Sequence, residues 1–321
     1  MLSADCVGDR VPARARGRVH SVFERACNIE TDAGELVTLL AQELGNVPHA
    51  IRLAGPAAPF KAWLIPGQDA ILDNAALRLP DAGIIVKLSD AAVWRGAVAA
   101  VSMDLCSMGS GAAIAVALRE LRATLCECAT EQGIALLLAT RAGVRTTVER
   151  AFANRISQAL PMLARATDHN DVTSVATAVA RLVGLGPGLT PAGDDFIAGY
   201  LAALWSRAGC DRGIDAMLQP LADALAPLFL CTNAISRQML SDAAHGRFAE
   251  RLVDVTKALA GAGNVADATV HALANGHSSG ADTLCGLLFG FAPDLAILAA
   301  PSPPHRAIQF HSGTGCTAAI V

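Results

Sequence analysis

The residues best suited to chemistry lie between Gly184 and Asp195, in the stretch GLGPGLTPAGDD. It contains four glycines, two prolines and two adjacent carboxylates, and the apolar run FIAGYLAALW follows directly. A glycine-rich turn that enters a helix presents N–H groups without helical partners at the positive end of the helix dipole. The stretch therefore predicts a site for an anion or small ligand at a helix start.

A second, fainter copy of this pattern lies near the C-terminus, in SSGADTLCGLL from Ser278 to Leu288. Both copies read G-x-D-x-x-x-G before an apolar helix, and a hydroxyl residue precedes each one. The glycine inside each predicted helix indicates that the two helices cross at short distance, so we expect the two turns to face each other across one pocket. The residues predicted to line this pocket are Gly186, Gly188, Thr190, Gly193, Asp195, Ser278, Ser279, Gly280 and Asp282.

The carboxylates of the two copies have three possible roles. They can stabilise the helix dipole, hold Mg2+ together with ligand phosphates, or accept hydrogen bonds from a ligand amide or amine. Asp194 has no acidic counterpart in the second copy, where Ala281 stands. We therefore interpret Asp194 as an acid that stabilises the start of the helix, and we keep it among the ligand-binding candidates. Asp195 and Asp282 are predicted as catalytic residues, and as the metal ligands if Mg2+ is used.

Other side chains near these turns are further candidates. His277 precedes the second copy and is a catalytic candidate, because histidine titrates near neutral pH. Thr190 is predicted to cap the first helix, with Pro191 at the first helical position. Thr232 and Ser236 open another predicted helix and are ligand-binding candidates, with Thr232 as its cap.

The elements that must position these residues fall into two parts. Short runs rich in β-formers, separated by Gly, Pro and Asp clusters, predict a small N-terminal domain at residues 1–95. Barrel and sandwich both remain open for it. Helical periodicity dominates residues 96–300 and predicts an all-α domain of about eight to ten helices, followed by a tail at 301–321. The expected fold class is α+β.

Composition excludes several classes of protein. The 321 residues are 53% hydrophobic but only 4% aromatic, and the net charge of -4 is unlike that of a nucleic-acid binder. Proline and aspartate interrupt the apolar runs, so we expect no membrane span. The opening MLSADCVGDR has no basic region that leads into an apolar run, so we expect no secretory signal. The nine cysteines lack zinc-site spacing and are typical of a reducing, cytoplasmic compartment. No GxxxxGK[ST] or HExxH motif occurs.

Several blocks resemble the AllH family. GLGPGLTPAGDDFIAGYLAAL resembles its signature, TNAISRQMLSDAAHG and GHSSGADTLCGLLFG resemble later blocks, and GRVHSVFERACNIETDAGELVTLL resembles its opening. The chain departs from the family at Ala192, where a serine is common, and this weakens any essential role for a hydroxyl there. The resemblance implies one subunit of an oxamate carbamoyltransferase that works with other subunits in purine and allantoin nitrogen catabolism.

That enzyme interconverts oxalurate and phosphate with oxamate and carbamoyl phosphate. The implied ligand is therefore a small anion: carbamoyl phosphate, oxamate or phosphate. Carbamoyl transfer passes through a tetrahedral oxyanion, which positioned N–H groups would stabilise. Two alternatives remain open. The chain is a non-catalytic structural subunit whose glycines serve close helix packing, or it is a stand-alone amide hydrolase, although no nucleophile with an adjacent base is evident.

Overall fold

Nine short strands form one sheet in the N-terminal third of the chain. They are β1 (Leu2–Gly8), β2 (Ala15–Val22), β3 (Ala26–Thr31), β4 (Leu36–Leu40), β5 (Ala50–Leu53), β6 (Asp69–Leu72), β7 (Ala76–Leu79), β8 (Ile84–Lys87) and β9 (Ala92–Trp94). The protein is seen in a computed structural model, which describes residues 1–100, 110–128, 133–134, 147–274 and 278–296.

The sheet closes into an eight-stranded barrel with the order β5-β4-β3-β2-β6-β7-β8-β1, and β9 pairs with the end of β1. Closure comes from the antiparallel pairing of β1 with β5, where Ala4 faces Leu53 and Val7 faces Ile51. A closed sheet has no unpaired edge, and its inward side chains fill a core that includes Leu39. The structure thus decides between the two predicted architectures in favour of the barrel.

The rest of the described chain is helical, as predicted, and confirms the α+β fold class. Its described helices are α1 (Ser110–Cys128), α2 (Thr147–Asp168), α3 (Val172–Val179), α4 (Ala192–Ala208), α5 (Arg212–Leu225), α6 (Ala234–Ala244), α7 (Glu250–Leu259), α8 (Val265–Leu273), α9 (Ser279–Phe291) and α10 (Pro293–Ala296). The predicted tail at 301–321 lies outside the described residues.

Helices α4 and α9 form the centre of the helical part. Both are buried along almost their whole length, as is typical of a helix that is apolar on all sides. They touch through backbone, because a Cβ on Gly199 would collide with the carbonyl oxygen of Thr283. A Cβ on Gly286 would collide in the same way with the carbonyl oxygen of Phe196. The predicted close crossing of two glycine-containing helices is therefore confirmed.

Buried polar contacts join the barrel to the helices. His49 Nδ1 of the barrel lies 2.6 Å from Asp242 Oδ2 of α6, and Arg10 Nε lies 3.6 Å from the other oxygen of the same carboxyl group. Arg247 Nε, just after α6, donates to Asp9 Oδ2 at 2.7 Å. These contacts fix α6 against the end of the barrel, and α6 in turn packs beside α4.

One helical stretch, Arg212–Cys231, is long and apolar enough by length and composition to cross a bilayer, with a hydropathy of 1.3. In this structure it comprises α5 and a short 3-10 helix, and α5 packs one apolar face against the helical core. Ile214, Met217 and Leu221 are among the buried residues of that face. The pattern is that of an amphipathic helix packed on a protein core.

Candidate functional site

The two glycine-rich turns lie side by side. Thr190 Oγ1, at the end of the first turn, is 2.6 Å from Ser279 Oγ, at the start of α9. A third segment joins them, because the Asn233 side-chain amide donates to the Leu189 carbonyl oxygen at 2.9 Å. Two turns that are remote in sequence therefore meet at one place, beneath the N-terminal ends of α4, α6 and α9. We call this place the paired-turn site.

Two of the glycines predicted to line the pocket serve packing. A Cβ on Gly193 would collide with the carbonyl oxygen of Leu182, and a Cβ on Gly280 would collide with that of Ala272. Gly193 N also donates to the Leu185 carbonyl oxygen at 2.8 Å. These two glycines are explained by close approach of neighbouring backbone, without any ligand.

The glycines of the loop itself have a different environment. Gly186 and Gly188 adopt φ values of 119° and 103°, which favour glycine over other residues. Within the described part of the chain, neither amide has a hydrogen-bond acceptor, and Gly188 is exposed. By contrast, the Asp194 and Asp195 amides donate to the Pro191 carbonyl oxygen at 2.8 and 3.1 Å. The loop therefore offers free main-chain donors, whereas the amides of both acids in the first turn of α4 are already engaged.

Asp194 is completely buried and is held by the protein on both sides. Its Oδ1 accepts a hydrogen bond from Gly184 N at 2.7 Å, and its Oδ2 accepts one from the Thr232 hydroxyl at 2.5 Å. Burial raises the pKa of this carboxyl group, while the Thr232 hydroxyl and the Gly184 amide act in the opposite direction. Asp194 thus ties the beginning of the glycine-rich loop to the segment before α6.

Asp195 has a more unusual setting. Its side chain is in the first turn of α4 and is only 2% exposed. Burial raises the pKa of Asp195 well above its usual value, the nearby Asp282 carboxyl raises it further, and hydroxyls of Ser279 and Thr190 act to lower it. Within the described residues, Asp195 Oδ2 is buried without a hydrogen-bond partner.

Asp282, the counterpart of Asp195 in α9, is fully buried. Its Oδ1 accepts a hydrogen bond from Ile134 N at 2.5 Å, and its amide donates to the Ser278 carbonyl oxygen at 2.9 Å. Gly133 has a φ of 69°, and a Cβ there would collide with the Asp282 carboxyl group. Gly133 and Ile134 are therefore site residues that the sequence analysis missed. Their local signal in the sequence is Gly133 itself, because glycine disfavours continuation of a helix.

Both predicted helix caps are wrong. The structure begins α4 at Ala192 with Pro191 as its N-cap and no capping side chain, because the Thr190 hydroxyl is bound to Ser279 instead. Helix α6 is capped by Asn233, whose side chain accepts from Ile235 N and Ser236 N.

The hydroxyl of Thr232 is not available for capping, because it donates to Asp194. Ser236 is buried at the start of α6, and its hydroxyl lies 3.5 Å from the Leu189 carbonyl oxygen. Thr232 and Ser236 therefore both border the paired-turn site. Ser278 is the N-cap residue of α9 and offers its carbonyl oxygen to α9, not its side chain.

Two further predictions depend on residues that the structure leaves partly undescribed. His277, a predicted catalytic residue, lies outside the described residues. Among the described residues, no group of three His, Cys, Asp or Glu side chains is arranged to hold a metal ion. Asp195 and Asp282 alone are a short donor set for an all-protein metal site, so Mg2+ would need further ligands from the bound anion.

The solvent side of the paired-turn site is formed by the loop. Leu189 is 56% exposed, and Leu230, next to the segment that holds Asp194, is 68% exposed. The half-buried hydroxyls of Thr190 and Ser279 lie between this surface and the buried Asp195. The arrangement offers loop amides and hydroxyls at the surface, and carboxyl groups behind them.

Comparison with known proteins gives the family. A profile described as oxamate carbamoyltransferase subunit AllH matches residues 182–291, which include both turns and the whole crossing of α4 with α9. A profile of the AllH family N-terminal domain matches residues 2–93, which form the barrel. No solved structure matches the chain. Since the two profiles together cover most of the sequence, the chain belongs to the AllH family, which is described as a subunit of oxamate carbamoyltransferase.

Proposed function

We propose that this chain is the subunit of an oxamate carbamoyltransferase that binds a small anionic ligand at the paired-turn site. The ligand classes are oxamate, carbamoyl phosphate and phosphate. Family membership supports the carbamoyltransferase subunit and, with it, other subunits as partners. The setting that we propose is purine and allantoin nitrogen catabolism in the cytoplasm.

One observation carries this proposal: the hydroxyls of Thr190 and Ser279 meet at 2.6 Å in front of the buried Asp195 carboxyl group. Buried polar groups normally have all their hydrogen bonds satisfied inside the protein. Here, however, the Oδ2 atom of Asp195 has no partner among the described residues. Clusters of buried, incompletely satisfied polar groups with strongly shifted pKa values are typical of functional sites.

The chemistry of carbamoyl transfer suits this arrangement. The carbonyl carbon of a carbamoyl group becomes tetrahedral, and its oxygen acquires negative charge in the transition state. Donors fixed in advance, such as the amides of Gly186 and Gly188 and the one O–H that the contact between the two hydroxyls leaves over, stabilise such an oxygen without reorganisation. In this role they bind and orient the ligand, and they require no nucleophile on this chain.

A second candidate is a structural subunit without a ligand. The contacts at Gly193, Gly199, Gly280 and Gly286 favour it, because backbone collisions alone account for these four glycines. The two candidates differ in what they require of the loop. A structural subunit has no need for the hydroxyl pair at the loop, whereas a ligand-binding subunit depends on it.

Calorimetry on the purified full chain tests the proposal. Oxamate, carbamoyl phosphate and phosphate are titrated with and without Mg2+. We expect at least one of them to bind, and we expect Thr190→Val and Ser279→Ala to weaken that binding by about tenfold or more, as loss of a ligand hydrogen bond implies. Thr177→Val is the matched control, because Thr177 is an exposed threonine in α3 whose hydroxyl donates to the Thr173 carbonyl oxygen.

The opposite result would support the structural subunit. If none of the three ligands binds the wild-type chain, or if both hydroxyl variants bind as the wild type does, the paired-turn site is not a ligand site. A carbamoyl-transfer assay on the chain purified together with its partner subunits gives a second readout. In that assay, Thr190→Val is expected to lower the rate and Thr177→Val to leave it unchanged.

A further inference from the structure

A groove at one end of the barrel is separate from the paired-turn site. It consists of two adjoining clefts with volumes of about 690 and 630 Å3, which share Asp73 and Asn74 of the turn between β6 and β7. The connection from β1 to β2 runs along both clefts, because residues 11–13 line the first and residues 14–16 line the second. The two clefts therefore form one elongated depression, which we call the barrel groove.

We propose that the barrel groove binds an acidic, extended segment of another subunit of the carbamoyltransferase. The partners required are those that family membership supports. The paired-turn site and its ligand are not involved, so the groove is a second functional surface of the chain.

Arginines without acidic partners give the groove its charge. Arg14 and Arg16 border one cleft and Arg95 borders the other, and all three are exposed. Within the part of the chain that the structure describes, none of the three forms an ion pair, whereas Arg18 on the same strand as Arg16 lies 3.3 Å from Asp69 Oδ1. The groove thus presents cations that the chain leaves uncompensated, although its net charge is -4. An acidic partner supplies the missing counter-charges.

The acids of the groove are already paired with other arginines. Asp73 Oδ2 accepts a hydrogen bond from Arg78 Nη1 at 2.5 Å, and its Oδ1 accepts from the two amides that follow the turn. Asp9 Oδ2 accepts from Arg247 Nε at 2.7 Å. Each lining carboxylate therefore has its own cation, and the excess charge of the groove is that of the three arginines without partners.

Exposed apolar side chains stand beside these arginines. Ile71 of β6 is 37% exposed and lines one cleft, and Val93 of β9 is 68% exposed and lines the other. Ile71 is also the cross-strand partner of Arg16, so a cation and an aliphatic side chain are neighbours on the outer surface of the barrel. This mixture suits a peptide that carries both carboxylates and apolar side chains.

The lining is less suited to a nucleic acid. No aromatic side chain is among the described residues that line the two clefts, so the stacking surface that single strands use is missing. The carboxylates of Asp9 and Asp73 inside the groove would also repel a continuous phosphate backbone. A peptide can place its carboxylates opposite the arginines and its apolar side chains elsewhere.

The affinity of the full chain for the separately purified partner subunits tests the proposal. The double variant Arg14→Gln/Arg16→Gln removes two charges that have no partner in the chain, and we expect it to weaken binding by about tenfold or more at low salt. Arg18→Gln/Arg25→Gln is the matched control, because it removes the same number of charges from exposed arginines that form ion pairs with acids of the barrel domain. We expect this control to bind within about threefold of the wild type.

A fluorescent peptide of alternating glutamate and leucine probes the groove directly. We expect it to bind the wild-type chain in a salt-dependent manner, to bind Arg14→Gln/Arg16→Gln about tenfold more weakly, and to be displaced by the partner subunits. Arg95→Gln, measured in parallel, replaces the double variant if that variant does not fold.

Three results would overturn the assignment of the barrel groove. They are absence of binding between the wild-type chain and the partner subunits, equal affinities of the double variant and its control, and stronger displacement of the peptide by a single-stranded oligonucleotide than by the partner subunits. Titration of oxamate into the double variant is expected to match the wild type. Failure of the groove as a binding surface and failure of the paired-turn site as a ligand site are therefore observed separately.

Discussion

Gly199 and Gly286 occupy reciprocal positions where α4 and α9 cross. Each glycine lies against the carbonyl oxygen of the residue three positions before the other glycine, Thr283 in one case and Phe196 in the other. Each glycine also approaches the backbone N atom of the residue that directly follows the other glycine. The two helices are thus related by an approximate twofold axis, which brings the equivalent acids Asp195 and Asp282 near each other at one end of the crossing.

The crossing leaves no space for a methyl group. In Gly286→Ala, the added Cβ would collide with backbone of α4, which cannot move aside as a flexible side chain can. We expect a loss of about 2–4 kcal/mol in the free energy of unfolding, measured by urea denaturation, despite the better helix propensity of alanine. Gly55→Ala is the control, because a Cβ there meets nothing within 4 Å. A Gly286→Ala protein as stable as the control would show that the helices are not in backbone contact.

The sequence predicts those parts of this site that belong to a short pattern present twice in the chain. The G-x-D-x-x-x-G pattern was enough to pair Asp195 with Asp282 and to predict the close crossing, because a glycine in a helix interior needs a packing reason. It was not enough to assign the caps. Thr190 and Thr232 are good N-cap residues by type, yet their hydroxyls are used by Ser279 and Asp194, which are distant in sequence.

Contacts of long sequence separation explain the other omissions. The hydrogen bond from Ile134 N to Asp282 joins residues that are 148 positions apart, and no local sequence pattern indicates it. In the N-terminal domain, short strands and turns predicted β structure, but the choice between barrel and sandwich depended on the pairing of β1 with β5. That pairing joins segments more than forty residues apart, whose register only the closed fold determines.

The link between Thr232 and Asp194 predicts a specific cost. Thr232→Val removes the hydroxyl that donates to Asp194 Oδ2 at 2.5 Å and leaves this buried carboxylate with only Gly184 N and the Ser236 hydroxyl as donors among the described residues. Loss of one partner from a buried polar pair costs about 1–3 kcal/mol. We expect a decrease of that size in unfolding free energy by chemical denaturation, and less than about 0.5 kcal/mol for Thr177→Val on the exposed face of α3. Equal effects in the two variants would contradict the proposed anchoring role of Asp194.

The raised pKa of Asp195 predicts how stability depends on pH. Burial raises this pKa in the folded state above that of the unfolded chain. The folded protein therefore keeps the proton after the unfolded chain has lost it, and stability falls as pH rises from the unfolded pKa to the folded one. The slope is about 1.4 kcal/mol per pH unit for one proton. Asp195→Asn removes this dependence, so its melting temperature should exceed that of the wild type increasingly as pH rises through this interval, and parallel melting profiles would contradict the prediction.

The contact between His49 and Asp242 predicts a stability cost when the junction between the barrel and the helices is weakened. Asp242 is 1% exposed, and His49 Nδ1 at 2.6 Å is its closest partner from the barrel. His49→Ala leaves this buried acid with weaker partners, so we expect a loss of about 1–3 kcal/mol in the free energy of unfolding. His169→Ala, at an exposed histidine, should change it by less than about 0.5 kcal/mol.

A double-mutant cycle separates the contact between His49 and Asp242 from other effects of the substitution. Asp242→Asn in the His49→Ala background removes a charge that has already lost its closest partner, so the second substitution should cost less there than in the wild type. The difference is the coupling energy between the two side chains. A coupling energy near zero would mean that His49 fills space at the junction without holding α6, and the barrel would then hold α6 through other contacts, such as the hydrogen bond from Leu36 N to Gln238 Oε1 at 3.0 Å.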